Sequence, residues 1–184
     1  DFEARSNAVI AFDADGDGDQ DLLFADAGAN VFLRNDGAAN FTIEREAQPS
    51  GEDVTQDLEA GDVDGDGDLD VIVANEDANR IMLNDGAGVF LLAEGALGDA
   101  RPDEETREAD FGDVDGDGDL DLYFANVGFR TQSPAGARDR LLINDGEGRF
   151  TDETQARLPA WSAHTLDVEF LDLDRDGDLD IVLA

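Results

Sequence analysis

Four short acidic segments carry the residues of this chain that could do chemistry. Each spans nine residues in the pattern Asp-x-Asp-Gly-Asp-Gly-Asp-x-Asp, except that Arg175 replaces the first glycine of the last copy. We call them loops 1 to 4 and number their residues as positions 1 to 9. They begin at residues 13, 62, 113 and 172 and hold 20 of the 47 acidic residues. This clustering at fixed spacing indicates ligands rather than a scattered, solubilising charge.

The spacing of the carboxylates in these loops suits calcium, a hard cation that takes roughly six to eight oxygen ligands. Positions 1, 3 and 5 can curl around one centre, and the glycine at position 6 permits a sharp turn. Position 7 then offers a backbone carbonyl, and position 9 returns a carboxylate. Magnesium demands a tighter octahedron and fits less well. Without a cation the carboxylates repel one another. A solvated acidic turn would explain one loop, but four copies in register favour a metal.

Other calcium motifs do not fit the residues that follow the loops. An EF-hand needs a bidentate acid at position 12, and the dockerin pattern also needs an acid there. Position 12 is apolar in all four copies, where it is Phe24, Val73, Phe124 or Leu183. The Gly-Gly-x-Gly-x-Asp nonapeptide of parallel β-helices is missing as well. The sequence therefore predicts calcium loops that connect strands.

Each loop lies between two segments with the length and composition of β-strands, and an Asn-Asp-Gly turn joins two further strands in the first three repeats. The loops begin 49, 51 and 59 residues apart. Four strands at such a period predict an all-β fold made of β-propeller blades of four antiparallel strands. The predicted strands cover 8–12, 22–25, 31–34 and 41–44; 58–63, 71–74, 80–83 and 89–93; 109–114, 122–125, 140–143 and 150–153; and 166–171 and 181–184.

About three and a half blades fit into the 184 residues. Blade 1 covers 1–47, blade 2 covers 48–97, blade 3 covers 98–157, and 158–184 form the first half of blade 4. We expect them to belong to one larger propeller, because an open stack leaves strand edges and blade faces exposed. Closure by association with another copy of the chain is the alternative.

These repeats resemble the FG-GAP/VCBS family, whose calcium-binding propeller repeats also occur in integrin α-subunit heads. Phe111 and Gly112 match the name-giving dipeptide, residues 141–152 resemble the third and fourth strands of bacterial VCBS repeats, and residues 161–184 resemble secreted propellers related to cartilage acidic protein. The resemblance implies a propeller, usually of seven blades. It also implies calcium in each marked blade and an extracellular role in adhesion or interaction.

By the same resemblance, positions 1, 3, 5 and 9 supply carboxylates and position 7 supplies a carbonyl, which gives about four Ca²⁺ sites. Two departures are Gln20, which replaces an apolar residue at position 8 and should weaken packing in blade 1, and Arg175, with which we expect loop 4 still to bind. The implied ligands are Asp13, Asp15, Asp17, Asp19 and Asp21; Asp62, Asp64, Asp66, Asp68 and Asp70; Asp113, Asp115, Asp117, Asp119 and Asp121; and Asp172, Asp174, Asp176, Asp178 and Asp180.

Composition narrows the possible partners and chemistry. A net charge of −35 repels nucleic acids and anionic lipids, and no apolar run is long enough to insert into a membrane. With no cysteine and a single histidine, His164, a catalytic constellation is not expected and we predict no enzymatic activity. Trp161 and Tyr123 could stack on sugars, although packing between blades is the simpler role. The longer segment 126–139 is a candidate partner-binding loop or a solvated insertion.

We therefore expect an extracellular calcium-stabilised scaffold, secreted, on the cell surface or periplasmic, that binds other proteins or further copies of itself. Three alternatives remain open: a lectin-like propeller that binds glycans, a subunit of an extracellular filament or surface layer, and a domain of a larger secreted enzyme. The sequence does not name the partner, the organism or the number of blades.

Overall fold

The computed structural model describes residues 5–44, 53–98, 101, 104–129 and 136–184. These residues form three sheets of four antiparallel strands, each in sequential order, and one sheet of two strands. The fold is all-β, built of propeller blades, and confirms the predicted architecture. The strands are β1 Ser6–Phe12, β2 Asp21–Asp26, β3 Val31–Asn35 and β4 Phe41–Ile43; β5 Thr55–Gly61, β6 Asp70–Asn75, β7 Arg80–Asn84 and β8 Phe90–Leu92; β9 Thr106–Gly112, β10 Asp121–Asn126, β11 Arg140–Asn144 and β12 Phe150–Asp152; and β13 Val168–Leu171 and β14 Asp180–Leu183.

Each Asp-rich loop closes the hairpin between the first and second strands of a sheet. The residue before position 1 pairs with position 9 in all four copies, as in Phe12 with Asp21 and Gly61 with Asp70. Position 9 is therefore the first residue of a strand, while positions 1 to 8 form the connection. A short helix, α1 Thr154–Arg157, follows β12 and was not predicted. Among the described residues, no helix combines the length and apolar character needed to cross a membrane.

Each blade has two apolar faces, and each face packs against a different neighbouring blade. We call the face toward the next blade the leading face and the face toward the preceding blade the trailing face. Between blades 1 and 2, the leading face of one and the trailing face of the other form one buried cluster, and blades 2 and 3 repeat this arrangement. The leading residues of blade 1 are Phe12, Ala14, Leu23, Ala25 and Phe32, and the trailing residues of blade 2 are Leu58, Val71, Val73, Met82 and Phe90.

In blades 2 and 3 the first strand ends in glycine, where the following blade leaves no room for a side chain. A Cβ atom at Gly61 would lie 2.7 Å from Leu120 Cδ1, and one at Gly112 would lie 2.8 Å from Phe170 Cδ2. Such distances are far below van der Waals contact, so a larger residue would push the blades apart. The second residue of the Phe111–Gly112 dipeptide is thus fixed by the approach of the following blade.

The first strands of the blades lie side by side, since β1 contacts β5, β5 contacts β9, and β9 contacts β13. We call these four strands the inner strands. Outer strands of different blades make no comparable contacts in the described chain, so the sheets fan out from the first strands. This geometry places all four Asp-rich loops at the same end of the inner strands. Because the repeats share it, one loop can be compared with another position by position.

Candidate metal centre

Carboxylates converge in every loop of the described chain. In each copy, oxygens from three aspartates lie within 4.8 Å of one another. Three loops use positions 1, 3 and 5 for this cluster, whereas loop 3 uses positions 1, 3 and 9. The clusters are Asp13, Asp15 and Asp17; Asp62, Asp64 and Asp66; Asp113, Asp115 and Asp121; and Asp172, Asp174 and Asp176.

The loop backbone holds these carboxylates in place. The amide of position 6 donates to the carboxylate of position 1 at 3.0 to 3.2 Å in all four loops. The amide of position 7 donates to the carboxylate of position 5 at 2.9 to 3.1 Å. Positions 4 and 6 have positive φ, which suits glycine; Arg175 accepts φ of 67° at position 4 of loop 4. A left-handed non-glycine residue costs about 1–2 kcal/mol, yet the loop 4 cluster is still assembled.

Position 9 has a structural role in each complete blade. One oxygen of its carboxylate accepts a hydrogen bond from the amide of position 2 at 3.0 to 3.2 Å. The other accepts from the amide of the asparagine of the Asn-Asp-Gly turn at 2.7 to 2.9 Å. Burial raises the pKa of Asp70 to about 6 and raises those of Asp21 and Asp121 as well. The residue therefore ties the loop to the third strand, and in loop 3 it also belongs to the carboxylate cluster.

Position 7 turns its side chain away from the cluster. A Cβ atom on Gly37, Gly86 or Gly146 would overlap the carboxylate of Asp19, Asp68 or Asp119 respectively. The side chain thus lies on the Asn-Asp-Gly turn of its own blade. This orientation agrees with the expectation that position 7 contributes its carbonyl, and the coordination itself stays a prediction.

Loop 1 contains an oxygen that lacks a partner. Asp13 Oδ1 is buried and accepts no hydrogen bond, which is costly for a charged group unless another cation or donor compensates it. A hard cation among Asp13, Asp15 and Asp17 would supply that compensation, so the residues present fit calcium. No covalent or catalytic step is needed to explain this donor set.

In two loops the aspartate at position 3 pairs with an arginine from outside the loop. Arg34 pairs with Asp15 and with Glu44, and Arg157 pairs with Asp115 at 3.0 Å. Sequence reasoning missed both, because each arginine lies far from its partner along the chain. Their charges partly neutralise loops 1 and 3 in the absence of metal.

The asparagine of the Asn-Asp-Gly turn connects loops of neighbouring blades. Asn84 Nδ2 donates to Ala14 O of loop 1 at 2.8 Å and to Leu69 O of its own loop at 3.2 Å. Asn144 makes the same bond to Val63 O of loop 2 at 2.8 Å. The recurrence of this asparagine was visible in the sequence, but its contact with the preceding blade was not.

A second group of acids lies on the inner strands or directly before them, five and three residues before each of the last three loops. Several of them accept amide hydrogen bonds from the next inner strand: Asp57 from Ala109 at 3.2 Å and Asp110 from Phe170 at 3.1 Å. Burial, with repulsion from Asp110, Asp57 and Glu169, raises the pKa of Glu59 to about 7. We call these six residues the inner-strand carboxylates: Asp57, Glu59, Glu108, Asp110, Asp167 and Glu169.

The other residues singled out in the sequence have structural surroundings. Tyr123 is fully buried between blades 3 and 4, where its ring makes an edge contact with Phe170 and its hydroxyl donates to Asp139. Trp161, by contrast, is 42% exposed. His164 stacks on Phe129, and its Nδ1 accepts from the amide of Gly128.

Of the candidate partner-binding segment 126–139, residues 130–135 lie outside the described residues. Gln20 is exposed, whereas Leu69, its counterpart, packs against the first interface.

Fold and loops together define a class of protein: a propeller of repeated blades with an acidic hairpin loop between the first two strands of each blade. The family model for the FG-GAP-like repeat matches residues 13–73, 62–124 and 129–183. These matches span most of the chain, and the protein belongs to the FG-GAP-like repeat family. A comparison with curated proteins finds no match.

Two solved structures have a similar fold. One concerns specific recognition of non-reducing terminal N-acetylglucosamine by an Agrocybe aegerita lectin; it has a TM-score of 0.59 and 21% identity, over 94% of this chain and 45% of the lectin chain. The other is the Tc holotoxin pore of Photorhabdus luminescens, with a TM-score of 0.52 and 17% identity, over 95% of this chain and 8% of that chain. The chain spans less than half the length of either, and at these identities the similarity concerns the fold alone.

Proposed function

We propose that this chain is an extracellular calcium-binding scaffold, in which each Asp-rich loop holds one structural Ca²⁺ and the blades present surfaces for protein contact or adhesion. The observation that carries the proposal is the fourfold recurrence of a three-carboxylate cluster at equivalent hairpins. The unpartnered oxygen of Asp13 supports it. The proposal includes no catalytic role for this segment.

Calcium would act on stability through the hairpins. Position 1 and position 5 carboxylates already order the loop backbone, and a bound cation would remove their mutual repulsion. Extracellular calcium modules bind with Kd of about 10⁻⁴ to 10⁻³ M. One site at a calcium concentration 100 times its Kd stabilises the fold by about 2.7 kcal/mol, and several sites add.

Calorimetric titration of the metal-stripped chain, with thermal unfolding in calcium and in chelator, tests the proposal. We expect about four Ca²⁺ bound per chain and a large rise in Tm. Asp66→Ala should lower Tm in calcium by several degrees, because a metal ligand is lost. In chelator Tm should stay nearly unchanged, because the lost hydrogen bond from the Asp68 amide is offset by weaker repulsion among the loop carboxylates. Asp117→Ala should behave likewise in loop 3.

Glu94→Gln is the matched control, since Glu94 is an exposed acid outside the loops. It should change neither the number of bound ions nor Tm. If the folded chain binds no calcium, the proposal that the loops hold structural Ca²⁺ is wrong. Equal destabilisation by Asp66→Ala in calcium and in chelator would show that the loop matters for another reason.

Glycan binding is a second candidate, favoured by the fold shared with a lectin and by the exposed ring of Trp161. Aromatic faces stack on sugars, and an exposed tryptophan outside the core is available for this. A glycan array probed with the calcium-loaded chain and with Trp161→Ala tests it. Signals that vanish in the variant would support glycan binding. An array without signals would favour the scaffold that binds proteins.

A further inference from the structure

A cavity of about 490 Å³ lies at the outer part of blade 3, between the start of β11 and the end of β12. This volume falls within the range of small-ligand sites. Its lining includes three arginines, Arg101, Arg138 and Arg140, although the whole chain has only twelve basic residues and a net charge of −35. Each of these arginines needs a negatively charged partner.

The carboxylates around the cavity already have partners. Asp139 is fully buried and accepts from Tyr123 Oη at 3.1 Å, the Asn126 amide at 2.8 Å and Thr165 Oγ1 at 2.7 Å. Asp152 accepts from Arg101 at 2.6 Å and Arg140 at 3.2 Å. Glu104 and Glu153 pair with Arg140 and Arg157, respectively. These pairs satisfy Arg101 and Arg140 without any ligand.

Arg138 is the exception. Its described hydrogen bond runs from Nη2 to the carbonyl of Thr154 at 3.2 Å, and its Nε is buried without a partner. No described carboxylate forms an ion pair with it. The guanidinium charge is therefore uncompensated, which is expensive for a partly buried group, and its terminal Nη1 and Nη2 atoms can hold a carboxylate through two parallel hydrogen bonds.

Blade 2 provides an internal comparison. The equivalent cavity, of about 340 Å³ between β7 and β8, is lined mostly by apolar residues such as Leu92 and Leu97, with one arginine, Arg80. Ala78 lines it in the place of Arg138, six residues before the turn asparagine, and Arg80 pairs with Asp53. The unpaired guanidinium is therefore a special feature of blade 3 and does not follow from the repeat.

We propose that the blade 3 cavity binds a small organic carboxylate, with Arg138 as the residue that holds the carboxylate group. A monoanion fits better than a phosphate dianion, because Asp139, Asp152 and Glu153 line the same cavity and would repel the second charge. The remaining volume accepts the body of a ligand about the size of a sugar acid. None of the lining residues belongs to an Asp-rich loop, so the proposal does not rest on the proposed calcium binding.

The test uses sodium glucuronate as the probe and glucose as its neutral match, with the calcium-loaded chain and ligand-observed NMR or calorimetry. We expect glucuronate to bind, glucose to bind at least tenfold more weakly, and Arg138→Met to reduce glucuronate binding at least tenfold. Arg149→Met is the control, since it removes the same charge from an exposed turn of the same blade; it should leave binding unchanged.

The proposal would be overturned by no glucuronate binding to the folded chain, by equal binding of glucose, or by undiminished binding by Arg138→Met. Phosphate that binds more tightly than glucuronate would also overturn the assignment to a carboxylate. The comparison of the two sugars needs no variant, so it decides the matter even when Arg138→Met does not fold.

Discussion

The five aspartates of one loop are alike in the sequence and different in the structure. In loop 2, positions 1, 3 and 5 converge, position 7 lies on the turn of its own blade, and position 9 is a buried hydrogen-bond acceptor for two backbone amides. The alternation of aspartate with other residues predicted the cluster, because it concerns neighbours in sequence. The role of position 9 depends on a turn 14 residues away from it in blade 2, so no local pattern reveals it.

This division of roles predicts that Asp70→Asn lowers stability whether or not calcium is present. An amide can accept through only one oxygen, and its NH₂ group would face the amide of Val63 or Asn84. We expect a loss of about 2–3 kcal/mol in both conditions, measured by urea unfolding in calcium and in chelator. The contrast with Asp66→Ala, which should act only in calcium, is the control. A variant as stable as the parent chain in chelator would contradict the structural role of Asp70.

Among the elements, the strands and their order were predictable and the contacts between blades were not. The Asn-Asp-Gly turns and the apolar runs place β3 and β11 within a residue of their predicted bounds. The inner-strand carboxylates and the reach of Asn84 into loop 1 lie between blades, where only the folded arrangement brings the groups together. Arg138 was missed for the same reason, since its lack of a partner depends on all the surrounding side chains.

Asn84 links two hairpins, and its removal should weaken both. Asn84→Ala leaves the carbonyls of Ala14 and Leu69 without their donor, so we expect a loss of about 1–3 kcal/mol, or several degrees in Tm. Calorimetric titration should show weaker calcium binding in two loops rather than one. Asn40→Ala, an exposed turn residue of blade 1, is the control and should change little. Weakening confined to loop 2 would show that Asn84 acts only within its own blade.

For the whole molecule, the inner-strand carboxylates bring negative charge together where the blades meet. The folded-state pKa of Glu59, about 7, lies above the usual value of 4.5. The folded chain therefore binds more protons than the unfolded chain between these values, so the contribution of Glu59 to stability is fully present below about pH 4.5 and is lost as pH rises through 7.

Glu59→Gln should remove this loss, because glutamine resembles the protonated acid. In saturating calcium we expect the variant and the parent chain to have similar Tm at pH 5. At pH 8 the variant should be more stable by about 1–2 kcal/mol, since partial exposure of Glu59 screens the repulsion. Thermal scans across this range measure the effect, with the exposed Glu94→Gln as the control. A difference in Tm that is the same at pH 5 and pH 8 would contradict the assignment.

The pairing of leading and trailing faces bears on how such a chain grows by gene duplication. The family-matched segments 13–73 and 62–124 each start in one Asp-rich loop and end in the second strand of the following blade. A copy made in this frame carries residues from both sides of one interface, such as Leu23 with Val71. A duplicated segment therefore already contains both complementary faces of an interface, so the chain can gain a blade without first evolving a new complementary surface.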